Sequence, residues 1–136
     1  MLKKISVITS SIILILSLFI LNRVPTFNMA KEYEVYFTNY SSTHCQKTDK
    51  NNFKFILGVK GESCTLEVGE FCLEEFLSQM EVNVYFIENL ENTVCYYGYS
   101  PKVKYLEMIN GKIINVHIVI SKNYVKIGFP IIYGSF

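Results

Sequence analysis

The chain lacks the cysteine patterns of metal and redox sites. No two of its cysteines are spaced as C-x-x-C, the spacing of zinc ribbons and thiol–disulfide oxidoreductases. His44 beside Cys45 could begin a metal site, but only His117 and scattered thiols remain to complete it. An even number of cysteines permits disulfides in three connectivities, although we favour small buried side chains for several of Cys45, Cys64, Cys72 and Cys95. We therefore predict no metal and no other cofactor.

A convergent set of catalytic side chains is also missing. Glu74 and Glu75 are adjacent, and neighbours on a helix diverge by about 100°, so they do not form an acid/base pair. Ser100 stands in Gly-Tyr-Ser-Pro, which is not the G-x-S-x-G turn of a serine nucleophile. The sequence therefore predicts no catalytic residue. Tryptophan is absent too, whereas Tyr and Phe contribute 10 residues each, enough for an aromatic core and surface.

The part of the chain beyond Arg23 has no excess of positive charge. Of the 13 Lys and Arg residues, ten lie beyond Arg23, against all 12 Asp and Glu residues. A mildly acidic domain does not attract the phosphate backbone of nucleic acid by its charge. We therefore expect no nucleic acid among its partners.

A long hydrophobic run is present near the N-terminus. Ile5 to Leu21 is 17 residues without a charge, preceded by Lys3 and Lys4, which is the lower limit for a helix that crosses a bilayer. Small residues do not follow the run where a signal peptidase would cut. These features predict an uncleaved signal anchor over residues 1–24, with membrane contact through residues 5–21. Because the lysines stay inside, the protein would cross the cell membrane once and carry an extracytoplasmic C-terminal domain. Cleavage and secretion is the alternative.

Residues 25–52 are expected to form a linker that contains a strand. Alternating polar and apolar residues predict this strand over Glu32 to Phe37, and the polar stretch Thr38 to Asn52 is interpreted as a loop. The folded domain is expected to span residues 53–136, with Phe53 to Val59 as its first strand.

A helix is predicted over about Leu66 to Met80, with Thr65 as its N-cap. Its apolar residues recur at the 3.6-residue period of a helix that covers a core. They are Leu73, Phe76, Leu77 and Met80, while Glu70, Glu74 and Glu75 lie off this stripe.

The rest of the chain predicts a meander of strands. Asn110-Gly111 supplies the two positive φ angles of a type I′ hairpin turn. The predicted strands are Val82–Ile87, Thr93–Tyr99, Tyr105–Ile109, Lys112–Ile120 and Tyr124–Phe129. This order indicates an α+β domain, an antiparallel sheet with a helix packed on one face.

Alternation assigns two faces to this sheet. The more apolar positions, such as Phe86, Val116 and Ile118, should lie under the helix. The other face would be a binding platform, on which tyrosines stack against a sugar or peptide that an amide and an imidazole orient. The platform consists of Tyr85, Tyr97, Tyr99, Asn115 and His117. The plainer interpretation is a solvated strand face.

Three short motifs in the last third of the chain are similar to the C-terminal end of the YwmB family. They are Gly98-Tyr99-Ser100-Pro101, Asn110-Gly111-Lys112-Ile113-Ile114-Asn115 and Gly128-Phe129-Pro130-Ile131-Ile132. The family consists of exported proteins of spore-forming Firmicutes with a TATA-box-binding-protein-like fold and no assigned activity. The resemblance covers Phe53 to Phe136 and implies half of that fold, because family members carry a further N-terminal half. Ser121-Lys122 and Phe129 depart from the residues usual in the family.

Two functional hypotheses follow. The first is a non-enzymatic, membrane-anchored binding or assembly module at the cell envelope, whose partner is an envelope protein or a second copy of the chain. The second is an envelope enzyme that acts on a cell-wall substrate through His117 with Glu107 or Ser100. An aromatic face without convergent acids favours the first hypothesis.

Overall fold

The computed structural model describes residues 2–21, 24–37 and 45–133. Helix α1 (Leu2–Leu21) comes first. Within the described ranges, none of the helices is both long enough and apolar enough to span a membrane.

The elements after α1 are nine strands and three short helices within the described residues, and the helices all lie between β2 and β4. In chain order they are β1 (Glu32–Tyr36), β2 (Cys45–Asp49), α2 (Lys50–Phe53), β3 (Gly61–Glu67), a 3-10 helix (Val68–Glu70), α3 (Leu73–Gln79), β4 (Asn83–Leu90), β5 (Thr93–Tyr99), β6 (Glu107–Ile109), β7 (Lys112–Ile114), β8 (Val116–Ser121) and β9 (Tyr124–Phe129).

Seven of these strands form one antiparallel sheet in the order β2-β1-β3-β9-β8-β5-β4. Strands β6 and β7 form a separate two-stranded hairpin. The predicted α+β class with an antiparallel sheet is confirmed. Strand β9 lies in the middle of the sheet, between β3 and β8, although it follows them both in the chain.

The main core lies between α3 and one face of the sheet, here called the helix face. Phe76 is buried, and Leu73, Leu77 and Met80 pack against the same cluster, so the predicted apolar stripe is confirmed. Phe27 joins it from the segment before β1, with its ring 5.1 Å from that of Phe76. The strands contribute Val35, Leu66, Val116, Ile118, Val125, Ile127 and Phe129.

The prediction of a strand over Phe53 to Val59 is wrong. Phe53 ends α2, because the Asp49 side chain accepts hydrogen bonds from the amides of Asn51 and Asn52 at 2.8 Å and starts a helical turn there. Gly58 then adopts a φ of 74°, which no regular strand contains. The strand lies further on, as β3, where pairing with β1 and β9 stabilises it.

The predicted N-cap at Thr65 is also wrong, because Thr65 lies inside β3. Helix α3 begins at Leu73, and the residue before it, Cys72, is exposed. Cross-strand pairing of β3 with β9 outweighs the local helical pattern, so the helix loses its first turns.

Residues predicted as a linker contribute to the sheet. The predicted strand at Glu32 is present as β1, and Cys45–Asp49, predicted as loop, pairs with it as β2. The first part of that predicted loop, residues 38–44, lies outside the described residues.

The later strands agree more closely with the sequence. Strands β5 and β9 have the predicted bounds, and the predicted hairpin is present, with φ of 50° at Asn110 and 74° at Gly111. The predicted strand Lys112–Ile120 is divided into β7 and β8 at Asn115.

Candidate functional site

A pocket opens on the face of the sheet opposite α3, here called the opposite face. Its volume is about 440 Å³, and aromatic and aliphatic side chains form most of its wall, with a carboxylate and an amide among them. The lining residues are Phe86, Glu88, Tyr97, Ile109, Asn110, His117, Ile131 and Ile132. Two of the five residues predicted for the platform, Tyr97 and His117, therefore line this pocket.

A β-bulge in β4 brings Phe86 to the pocket. Val84 pairs with Gly98 and Phe86 with Tyr97, so Tyr85 is an extra residue between the two pairs. Beyond the bulge the alternation of β4 is reversed, and Phe86 and Glu88 share the face of Tyr97. The prediction that Phe86 lies under the helix is therefore wrong.

Tyr97 and His117 are directly paired across β5 and β8, and their rings stack. The ring centroids are 4.2 Å apart at an interplanar angle of 15°. The Tyr97 hydroxyl donates to the Glu88 carboxylate at 3.4 Å. Burial raises the pKa of Tyr97 to about 12, so its hydroxyl keeps its proton at neutral pH.

His117 is neutral at physiological pH. Its side chain is 2% exposed, and burial lowers its pKa to about 4. Its Nδ1 accepts a hydrogen bond from the backbone N–H of Ile132 at 3.2 Å. Because a neutral imidazole carries one proton, that proton is on Nε2.

The segment Pro130–Tyr133 covers part of the opposite face. Ile132 packs with Cys95, Val119 and Tyr97 in a second apolar cluster. A Cβ atom on Gly128 would lie 2.7 Å from the Ile132 nitrogen, so only glycine permits this close approach. Alternation of polar and apolar residues does not predict this cover, because it shows to which face a side chain points and not which later segment packs on that face.

Asn115 does not face the pocket as predicted. It is fully buried, and its Oδ1 accepts from the Ser100 amide at 2.7 Å. Its Nδ2 donates to the carbonyls of Ser100 and Val103 at 2.7 and 3.1 Å. These bonds occupy the amide, so Asn115 fixes the loop after β5 instead of orienting a ligand.

The two remaining predicted platform residues lie beside the pocket. Tyr85, the extra residue of the bulge, is exposed, with the Lys112 ammonium 5.3 Å from its ring centroid. Tyr99 is half-buried at the end of β5 and pairs with Asn83. Neither is among the described residues that line the cavity.

The three residues of the enzymatic hypothesis, His117, Glu107 and Ser100, each make hydrogen bonds within the fold. The Ser100 hydroxyl donates to the Met80 carbonyl and accepts from the Lys102 amide at 3.1 Å. The Glu107 carboxylate accepts from the Tyr133 hydroxyl at 3.3 Å. The Nδ1 atom of His117 already accepts a hydrogen bond, so it is not available as a base.

The other end of the opposite face is polar. Lys126 on β9 lies 2.9 Å from the Glu34 carboxylate on β1, which also accepts from the hydroxyls of Tyr36 and Ser63. Burial by itself raises the pKa of Glu34, but these partners outweigh it and hold the pKa below its usual value. This cluster joins strands β1, β3 and β9.

A second carboxylate is buried on the helix face. Glu62 accepts from the Thr26 amide and from the Tyr105 hydroxyl at 2.9 Å, and burial raises its pKa. It fixes the segment before β1 and the loop after β5 to the sheet. Sequence reasoning missed Glu62 because the residues around it, Lys60 to Ser63, had the composition of a turn.

All four cysteines are free thiols, and Cys64 and Cys95 are buried. In the described part of the chain, no three His, Cys, Asp or Glu side chains come together as a metal site. No protein-family model, no curated protein and no solved structure matches this chain.

Proposed function

We propose that this protein is a non-enzymatic, membrane-anchored extracytoplasmic module that binds a partner at the cell envelope through the pocket of Phe86, Tyr97 and His117. The observation that carries this proposal is a cavity of about 440 Å³ with apolar and aromatic walls and few polar groups. Such a composition is typical of ligand sites.

The pocket's polar groups favour a ligand that combines an apolar body with a positive charge. Glu88 is exposed at the wall, and its carboxylate can accept from an ammonium or guanidinium group. Phe86, Ile109 and Ile131 offer surface for an apolar side chain. A peptide segment in which an apolar residue adjoins Lys or Arg satisfies both, whether an envelope protein or a second copy of the chain supplies it.

The membrane anchor and the family relationship belong to the same proposal. The uncharged run Ile5 to Leu21 after two lysines supports an anchored chain with its sheet domain outside the cytoplasm. The three YwmB-like motifs support a domain that is half of a TATA-box-binding-protein-like fold. The first two motifs are in contact, because Asn115 bonds to Ser100.

The proposal is tested by comparing how two small aromatic probes of opposite charge bind to the full chain. Phenethylamine and phenylacetate have similar aromatic bodies and opposite charges. We expect phenethylamine to shift the NMR resonances of Phe86, Tyr97 and Ile132, and phenylacetate to shift them much less. Glu88→Gln should weaken phenethylamine binding about threefold, the scale of one partly solvated ion pair.

Glu91→Gln is the matched control, because Glu91 is exposed in the turn after β4 and lies outside the pocket lining. Its affinity for phenethylamine should equal that of the wild type. Equal shifts with the two probes, or shifts confined to residues away from the pocket, would contradict the proposal.

A further inference from the structure

The β6–β7 hairpin presents an uncovered apolar surface. Val103, Tyr105 and Ile114 point inward and are buried. Three side chains point outward instead, and the exposed fractions are 56% for Leu106, 61% for Met108 and 45% for Ile113. Met108 and Ile113 are direct cross-strand partners, so their side chains lie side by side.

Positive charge borders this apolar surface. Burial alternates from Val103 to Ile109, which places Lys104 in the same outward row as Leu106 and Met108. Lys112 is exposed beside the hairpin turn, where it pairs with Ile109 and therefore extends from the other face of the hairpin. Their ammonium groups lie 5.1 Å and 5.3 Å from the ring centroids of Tyr105 and Tyr85. The charge of Lys104 also acts on the buried Glu62 carboxyl, whose pKa it lowers against the effect of burial.

Two other carboxylates near the hairpin are engaged with groups outside this row. Glu81 is paired with Lys102 at 2.9 Å, and Glu107 points inward, where it accepts from Tyr133. Beyond Arg23 the chain has 12 acidic and ten basic residues, so this cationic edge differs in sign from the domain as a whole.

We propose that the hairpin surface formed by Lys104, Leu106, Met108 and Ile113, with Lys112 beside it at the hairpin tip, docks on an anionic lipid bilayer. Apolar side chains at the tip would enter the interfacial region, while the lysines extend along it to the headgroups. Charge complementarity favours this occupant over a second copy, because a symmetric contact would bring like-charged lysines together. The proposal is separate from the pocket and does not depend on what the pocket binds.

The absence of tryptophan makes the test direct. Met108→Trp gives the full chain a single tryptophan in the middle of the proposed contact. We reconstitute it in vesicles of phosphatidylcholine alone or mixed equally with phosphatidylglycerol, and include lipids brominated on the acyl chains. With phosphatidylglycerol present we expect a blue shift and a loss of tryptophan emission by bromine quenching. Vesicles of phosphatidylcholine alone should give much less of both.

A double variant with a matched control separates lipid docking from other contacts. Lys104→Gln with Lys112→Gln should return the quenching to its level in phosphatidylcholine. Lys47→Gln with Lys50→Gln should leave it unchanged, because those lysines lie on β2 and α2 at the far edge of the sheet. Ile113→Trp is a second reporter if Met108→Trp does not fold.

Three results would overturn the proposal. One is tryptophan emission that bromine does not quench in either vesicle. Another is quenching that is the same with and without phosphatidylglycerol. The third is a blue shift without quenching that grows with protein concentration, which would identify a second copy or another protein as the occupant.

Discussion

At the scale of the residue, one amide side chain joins two segments that are far apart in sequence. Asn115 accepts from one backbone group and donates to two others in the loop after β5, while its own N–H donates to the Gly98 carbonyl at 3.0 Å. All of these groups lie where water cannot replace the amide, since Asn115 is fully buried. Asn115 therefore holds this loop together with Glu62, which accepts from Tyr105 further along it.

Asn115→Ala should lower the free energy of unfolding by about 2–4 kcal/mol, because it leaves buried Ser100 and Val103 backbone groups unpaired. Urea unfolding of the full chain measures this loss. Asn89→Ala is the control, since Asn89 is exposed on β4. Losses of equal size in the two variants would show that the Asn115 hydrogen bonds do not stabilise the loop.

His117 should make the protein less stable in acid. Well above pH 6.5 the imidazole is neutral in both states, so it adds no pH dependence there. Between pH 6.5 and about 4 the unfolded chain binds a proton that the folded chain excludes, and the free energy of unfolding falls by about 3 kcal/mol over this window. Below pH 4 both states are protonated.

The comparison of wild type with His117→Gln isolates this contribution. Glu62, whose raised pKa acts in the opposite direction, is present in both proteins and cancels in the difference. The variant should therefore lose less stability than the wild type between pH 6.5 and 4. Parallel curves of unfolding free energy against pH would refute the assignment.

At the scale of the element, the β6–β7 hairpin depends on backbone conformation and not on packing at its turn. A Cβ atom on Gly111 would contact nothing within 4 Å, yet its φ is 74°. Asn110 before it also has a positive φ, as a type I′ turn requires.

Gly111→Val should therefore destabilise the protein by about 1–2 kcal/mol through its φ alone, since β-branched residues resist this conformation. Gly111→Asn should cost much less, because asparagine tolerates positive φ. Thermal melts of the two variants give the comparison. Equal melting temperatures for Val, Asn and wild type would show that the turn relaxes to another type.

The sequence correctly predicted the elements whose type and bounds depend mainly on their own residues. Strand β5 and strand β9 have turn residues at both ends, and α3 has an apolar stripe that needs only a sheet to cover. Strand β3 was missed because its stability comes from neighbours on β1 and β9, which no local pattern reveals. The bulge at Tyr85 likewise follows from sheet geometry, and it is what brings Phe86 into the pocket.

At the scale of the whole molecule, segments from both ends of the domain enclose the sheet. The segment before β1 packs on the helix face through Phe27 and Thr26, which contact Phe76 and Glu62. The segment Pro130–Tyr133 packs on the opposite face through Ile132. The sheet is thus covered on both sides. This cover buries His117, which the alternation of β8 alone predicts at the surface.

The predicted anchor is a property of the whole chain and is tested on the whole chain. A reporter enzyme that is active only outside the cytoplasm, fused after Phe136, should be active in cells. The mature protein should retain Met1 to Leu21, as N-terminal sequencing or mass spectrometry would show. A mature chain that begins at Lys31 would instead indicate cleavage and secretion.

The central position of β9 sets the order in which the molecule can assemble. Strands β1 to β3 form one group and β4, β5 and β8 another, and β9 is the strand that joins the two. During synthesis each group has one unpaired edge strand, β3 or β8, until Tyr124 to Phe129 has been made and can pair with both. Folding is therefore completed late, through contacts distant in sequence, and such topologies fold slowly. Until β9 pairs with them, the unjoined edges of β3 and β8 are the surfaces at which the chain is prone to aggregate.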